Sequence, residues 1–182
     1  MLPQLGDGLP AETDLVDARM LKTGEGICRD MAPLVIGLGP GFTAGGNADV
    51  VVETERGHDL GRVIYEGSAN PDTGRPGDIM GFNEERVIRA PRAGHFRSSV
   101  ALGALVRKGD VVGYVEETVV SAPIDGLVRG LVADGIDVRQ GQKMGDVDPR
   151  GSRIDPCTIS DRGRSVGGGV LEAIMHWWTG KR

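Results

Sequence analysis

Cysteine is nearly absent: Cys28 and Cys157 are the only two in 182 residues. Two cysteines make no disulfide framework, and with neither a CxxC pair nor a Cys/His cluster no zinc spacing is present. Basic excess is lacking as well. Twenty-one Lys and Arg against 26 Asp and Glu leave a net charge of −5, which argues against a nucleic-acid or anionic-membrane surface. Aromatics are only 4% of the chain. The most apolar window, 32–42, is broken by Gly and Pro and is too short to span a bilayer. The opening MLPQLGDGLP has neither the charged start nor the apolar run of a secretory leader. These absences predict a cytoplasmic protein of a reducing compartment, with no bound metal. Glycine is abundant, at 30 residues with 10 Pro, and the 39% of apolar residues suffice for a core in one or two domains.

An internal repeat is the clearest pattern. Residues 89–115 align without gaps on 121–147, and twelve of the twenty-seven pairs are identical, among them Ala90/Ala122, Pro91/Pro123, Gly94/Gly126, Gly109/Gly141 and Gly113/Gly145. The glycines fall where a chain must reverse, and β-branched residues lie between them. A unit of this length cannot bury its own apolar face, so two copies are expected to close on each other about a pseudo-two-fold axis. The A-P-x-x-G-x-V and V-x-x-G-x-x-x-G patterns resemble biotinyl and lipoyl carrier domains, which implies a barrel-sandwich hybrid. Carriers present a modifiable lysine at the hairpin tip between the halves; here the tip is Glu116-Glu117-Thr118. A carboxylate cannot form the tethering amide, so no biotin or lipoate is expected, and the module is read as structural or docking.

The expected fold is mainly β (α+β overall), in three parts. Residues 1–88 form a β-rich region with Gly-rich loops and runs at Pro33–Leu38, Asp49–Glu53 and Arg62–Glu66; Asp14–Met20 is a weaker stretch of strand or helix. Residues 89–150 are the repeat. Residues 151–182 carry a short strand, Cys157–Ser160, a Gly triplet, and one helix from Val170 to Trp178 whose apolar residues cover most of its circumference. That helix is expected to be buried on the N-terminal region or on a second subunit.

Chemistry has three candidate places. Gly37, Gly39 and Gly41, in GLGPGF after a strand, could bring backbone N–H groups to an anion, although Pro40 removes one donor and no helix start follows; a tight structural turn is the favoured alternative. In Glu55-Arg56-Gly57-His58-Asp59, His58 beside Asp59 could carry a proton and Arg56 could clamp an anion. Cys157 with Ser160, Asp161, Arg162 and the triplet Gly167, Gly168, Gly169 would hold a thiol near a helix start, where its thiolate is favoured; a buried structural cysteine is the commoner alternative. His95, in register with Leu127, is expected to be partly buried.

Several longer strings carry a second resemblance: VDARMLK (16–22), PLVIGLGPGFTAG (33–45), ETERGHDLGRVIYEGSANPDTGRPG (53–77), GDVDPRG (145–151) and CTISDRGRSVGGGVLEAI (157–174). They resemble the selenium-dependent molybdenum hydroxylase accessory, or molybdenum cofactor maturation, family. The resemblance implies an accessory protein that supports insertion or modification of a molybdenum cofactor, binds that cofactor or a related anionic ligand, and partners a molybdenum hydroxylase or other maturation proteins, or a second copy of itself. Full-length members begin with a Gly-rich nucleotide-binding region that nothing before Val16 matches; a short paralogue, or a separate chain supplying that region, is implied. Two alternatives stand beside it: a structural adaptor without catalysis, and a nucleotide-using enzyme working through Gly37–Phe42.

Overall fold

A computed structural model describes residues 13–180. The chain divides into two compact units: the first runs to Gly74 and resumes at Ile159, and the second is Arg75–Thr158. These limits differ from the expected 1–88, 89–150 and 151–182. Residues 75–88 belong with the repeat because Arg86 pairs with Asp146, and the C-terminal helix belongs with the first unit.

In the first unit β1 (Leu15–Asp17), β2 (Val35–Leu38), β4 (Val50–Val52) and β5 (Val63–Ile64) form one sheet in that order. β1, β2 and β4 run parallel and β5 is antiparallel. A parallel strand covered on both faces reads as continuous apolar sequence, which is why Val35–Leu38 and Val50–Val52 show no polar alternation and are wholly buried. Leu34, Ile36, Leu38, Val50 and Val52 pack on one face with the helix residues Val170, Ala173 and Ile174. Val35 and Val51 point the other way, onto Phe42, Ala48 and Ile27. β3 (Thr43–Ala44) and β6 (Gly67–Ser68) make a small antiparallel pair on that side.

The helix α1 is Asp161–Trp178, starting about two and a half turns before the expected Val170. The Ser160 hydroxyl accepts the Gly163 N–H at 3.1 Å and caps it, so Gly167–Gly169 is a mid-helix segment and not a lead-in loop. Packing overrides the low helix propensity of glycine here. A Cβ on Gly169 would lie 2.2 Å from the Gly61 carbonyl oxygen, and one on Gly61 2.4 Å from that of Ser165. The two glycines let the helix backbone rest on the β4–β5 connection. Gly169→Ala is therefore expected to destabilise the first unit, whereas Gly167→Ala, with open space around it, should stabilise it by about 0.5–1 kcal/mol. Opposite shifts in the thermal midpoint check the pair. Nor is α1 buried all round: Gly169 and Ala173 are buried, while Leu171, Met175 and Trp178 are exposed.

The second unit interlocks the two sequence copies. Its strands are β7 (Val87–Arg89), β8 (Gly94–Ser98), β9 (Leu105–Val106), β10 (Val111–Val115), β11 (Thr118–Ser121), β12 (Gly126–Leu131), β13 (Asp137–Val138) and β14 (Lys143–Asp148). One sheet has the order β11-β10-β8-β13 and the other β7-β14-β12-β9. The repeat offset maps each sheet onto the other, strand for strand. Each therefore takes two strands from one copy and two from the next, and neither copy can close alone. Phe96, Val112, Val115, Val128 and Val147 fill the space between the sheets. The class is mainly β with a single C-terminal helix. The expected strand at Cys157–Ser160 is instead irregular, because the Asp155 carboxylate accepts the Cys157 N–H at 2.9 Å and its carbonyl accepts the Thr158 hydroxyl at 2.8 Å.

Candidate functional site

The loop leaving β4 turns on a buried carboxylate. Glu53 is 3% exposed. One of its oxygens accepts the N–H of Thr54 at 2.7 Å and of Glu55 at 2.8 Å, and the other accepts the N–H of Asn70 at 2.8 Å. The Asn70 side chain donates on to Glu55 at 2.7 Å. Glu53 thereby fastens two distant stretches of the first unit around a concavity of about 420 Å³, lined by Glu53, Asp59, Arg62, Tyr65, Ser68 and Asn70 among others. It is polar and carries more carboxylates than cations. The Tyr65 ring stacks, tilted, on His176 of α1 with centroids 4.6 Å apart; burial, with Glu172 adding to it, pushes the Tyr65 hydroxyl above its ordinary value.

The same loop meets the start of α1. The Arg56 guanidinium is bidentate to Asp161, at 2.7 and 3.2 Å. Of the residues expected to act, Arg56, Ser160 and Asp161 thus come together, but the cation faces a carboxylate of the chain and Ser160 is the helix cap. Asp59 pairs with Arg62 at 3.2 Å, and the neighbouring His58 is exposed. Arg162 lies in the first turn of α1, with Gly167–Gly169 farther along it. Cys157 is exposed and belongs to the second unit, whereas Arg162 and the glycines belong to the first.

The Gly37–Phe42 turn is filled from within. A Cβ on Gly37 would sit 2.2 Å from the Phe42 ring, one on Gly39 2.3 Å from the Thr54 hydroxyl, and one on Gly41 2.6 Å from the Gly24 nitrogen. The Gly39 N–H goes to the Val52 carbonyl at 2.9 Å. These glycines serve close packing between neighbouring loops, and the favoured reading of a tight structural turn describes them.

At the hairpin tip, Glu116 has φ 52° and its carboxylate accepts the His95 N–H at 2.7 Å. The His95 ring, expected to be partly buried, is about half exposed and lies 3.2 Å from Asp137. Cys28 is also exposed, and its thiol is pushed up chiefly by a hydrogen bond with Asp30. A raised pKa lowers the thiolate fraction. Cys28 is therefore expected to react with iodoacetamide at pH 8 more slowly than free cysteine, and Asp30→Asn to quicken it; site-resolved mass spectrometry gives both rates.

Sequence reasoning passed over one motif. Asp17-Ala18-Arg19 ends β1 and Asp148-Pro149-Arg150 ends β14, and both aspartates are buried. In each, one carboxylate oxygen takes the N–H of the arginine two residues on, at 2.9 and 3.0 Å, and the guanidinium closes on both oxygens. Asp148 also faces Arg129 at 3.5 Å. The recurring Asp-x-Arg spacing was the available signal, but Asp137-Val138-Arg139 shares it without the clamp, since Asp137 turns to His95.

No family model matches the chain. It is 54% identical over 161 residues, 88% of its length, to Uncharacterized protein YqeB of Escherichia coli (strain K12), and spans 30% of the length of that relative. Among solved structures, the succinylglutamate desuccinylase/aspartoacylase from Rhodobacter sphaeroides is similar over 35% of this chain and 21% of that one, with 27% identity and a TM-score of 0.30. Among the described residues no group of His, Cys, Asp and Glu is placed to hold a metal ion, and no helix is long and apolar enough to cross a membrane.

Proposed function

We propose that this chain is a cytoplasmic accessory protein supporting the maturation of a molybdenum hydroxylase or its cofactor, and that it works by docking rather than by a reaction of its own. One observation carries the reading. Two of the strings that resemble the accessory family, 53–77 and 157–174, meet in one built surface: Glu53 fastens the first to itself, Arg56 ties it to Asp161, and Gly61 lies against Gly169. The residues that line the concavity all fall in 53–77, and 157–174 supports that string from beneath through Asp161 and Gly169. Docking is favoured over catalysis because Arg56 and Arg62 already hold carboxylates of the chain. A cofactor anion would have to displace Asp161 from Arg56 to be clamped there.

Inactivating the gene in its host tests the proposal. The hydroxylase is expected to accumulate as protein but with low activity and a low molybdenum or selenium content by elemental analysis; the intact gene restores both, and a copy carrying Arg56→Glu restores neither. Hydroxylase of normal activity and metal content from the inactivated strain would remove the proposal.

A further inference from the structure

Four charged residues are buried among the described residues: Asp17, Glu53, Arg86 and Asp148. Three of them face an opposite charge. Asp17 holds Arg19, Arg86 holds Asp146, and Asp148 faces both Arg150 and Arg129. Glu53 has no cation among the described residues. Its partners are the backbone N–H groups of Thr54, Glu55 and Asn70, which supply hydrogen bonds but no net charge. Buried charges are ordinarily paired, because an opposite charge offsets the cost of taking them out of water. The hydrogen bonding is also incomplete. An ionised carboxylate offers about four lone-pair sites; one Glu53 oxygen accepts twice, but the oxygen toward Asn70 accepts only once. Glu53 lines the concavity, where a donor can reach it.

We infer that the concavity binds a small organic cation, one that carries an ammonium or guanidinium group, and that Glu53 is the carboxylate that receives it. The rest of the lining agrees. Asp59 and Arg62 balance each other, which leaves Glu53 and the exposed Glu66 as the unbalanced charge of the concavity. An N–H donor on the ligand meets the open Glu53 oxygen as a charge-assisted hydrogen bond. Val63, Ile64 and Tyr65 line the same space and can take an alkyl stem. A volume of about 420 Å³ suits a small molecule. A bare metal ion fits less well, since among the described residues no group of His, Cys, Asp and Glu is placed to hold one, and an anion would be repelled by the same two carboxylates. A cation here needs no molybdenum enzyme and its binding is measured on the purified chain, so the accessory function can fail without it.

Titration of the ¹⁵N-labelled full chain with butylguanidinium, followed by amide resonances, tests it. Tyr65, Ser68 and Asn70 are expected to shift together, with a dissociation constant on the order of 1 mM for so small a probe. Butyrate and 1-butanol, which match its stem but not its charge, should leave those resonances in place. Glu53→Gln is expected to abolish binding. Because that change also loosens Asn70, Glu66→Gln is the second variant: its side chain is exposed, the fold is kept, and binding should weaken up to about fivefold, the scale for an exposed charge pair. No shift at Tyr65, Ser68 and Asn70 by about 50 mM probe, well above that constant, overturns the inference. So does an equal response to 1-butanol, undiminished binding by Glu53→Gln, or unchanged affinity in Glu66→Gln.

Discussion

Asp148→Ala is expected to destabilise the second unit by about 3–5 kcal/mol, the range for removing one partner of a buried charge cluster. The side chain is fully buried. Its loss leaves Arg150 and Arg129 facing each other without the carboxylate between them, and the Arg150 N–H without its acceptor. Both arginines keep about a third or less of their surface in water, which holds the effect toward the lower end. Asp148→Asn keeps an oxygen for the Arg150 N–H and loses only the charge, so it should cost less. Both tryptophans lie in α1 of the first unit, so their fluorescence reports that unit alone. Urea unfolding of Asp148→Ala should leave the tryptophan transition in place while the β signal in far-ultraviolet circular dichroism shifts to lower urea. A single coincident shift of both would show that the clamp supports the whole chain instead.

Acid should reproduce part of this loss. Burial pushes the Asp148 carboxyl up, but the Arg150 side chain, the Arg150 N–H and the charges of Arg150 and Arg129 together outweigh it, and the group ends below its ordinary value of 3.8. Asp17 is held below the same value, its hydrogen bonds from the Arg19 side chain outweighing its burial. A depressed carboxyl contributes stability that is present in full above the unfolded value and is lost as pH falls through the folded one. Each unit should therefore hold its stability down to about pH 4 and lose it below. The Asp148→Ala chain should show a shallower acid limb in its second unit.

The repeat was legible because its turns are written in glycine and its strands in β-branched residues, and both recur at one offset. Strand exchange between the copies follows, since neither has a face that it can bury alone. The parallel strands were legible as Pro33–Leu38 and Asp49–Glu53 because they are buried on both sides. The start of α1 was not. Gly163, Gly167, Gly168 and Gly169 read locally as a loop, and only the contact of Gly169 with Gly61, distant in sequence, makes glycine the fitting residue there. Within the candidate site, Arg56 and Asp161 were each visible as polar residues in loops, but their pairing across 105 positions was not. Glu53 gave no signal, since a carboxylate following three valines looks like the solvent-exposed end of a strand.

That same Glu53 is where a single change should most disturb the candidate site. Glu53→Ala removes the acceptor for three backbone N–H groups, of which the one on buried Thr54 has no access to water. Leaving a buried donor unpaired costs about 1–3 kcal/mol, and hydrogen bonds to a charged acceptor contribute about 1.5–3 each, so a loss of about 3 kcal/mol from the first unit is expected. Glu53→Gln separates the fold from the site. Its carbonyl oxygen can still accept from Thr54 and Glu55, but its NH₂ would then point at the Asn70 N–H, donor against donor. The strand end should stay in place while Asn70 comes away, and with it one wall of the concavity. Amide hydrogen exchange reads this directly: protection is retained at Thr54 and lost at Asn70 in Glu53→Gln, and lost at both in Glu53→Ala. If Asn70 keeps its protection in the glutamine variant, the carboxylate does not hold the two stretches together and the concavity is formed by the backbone alone.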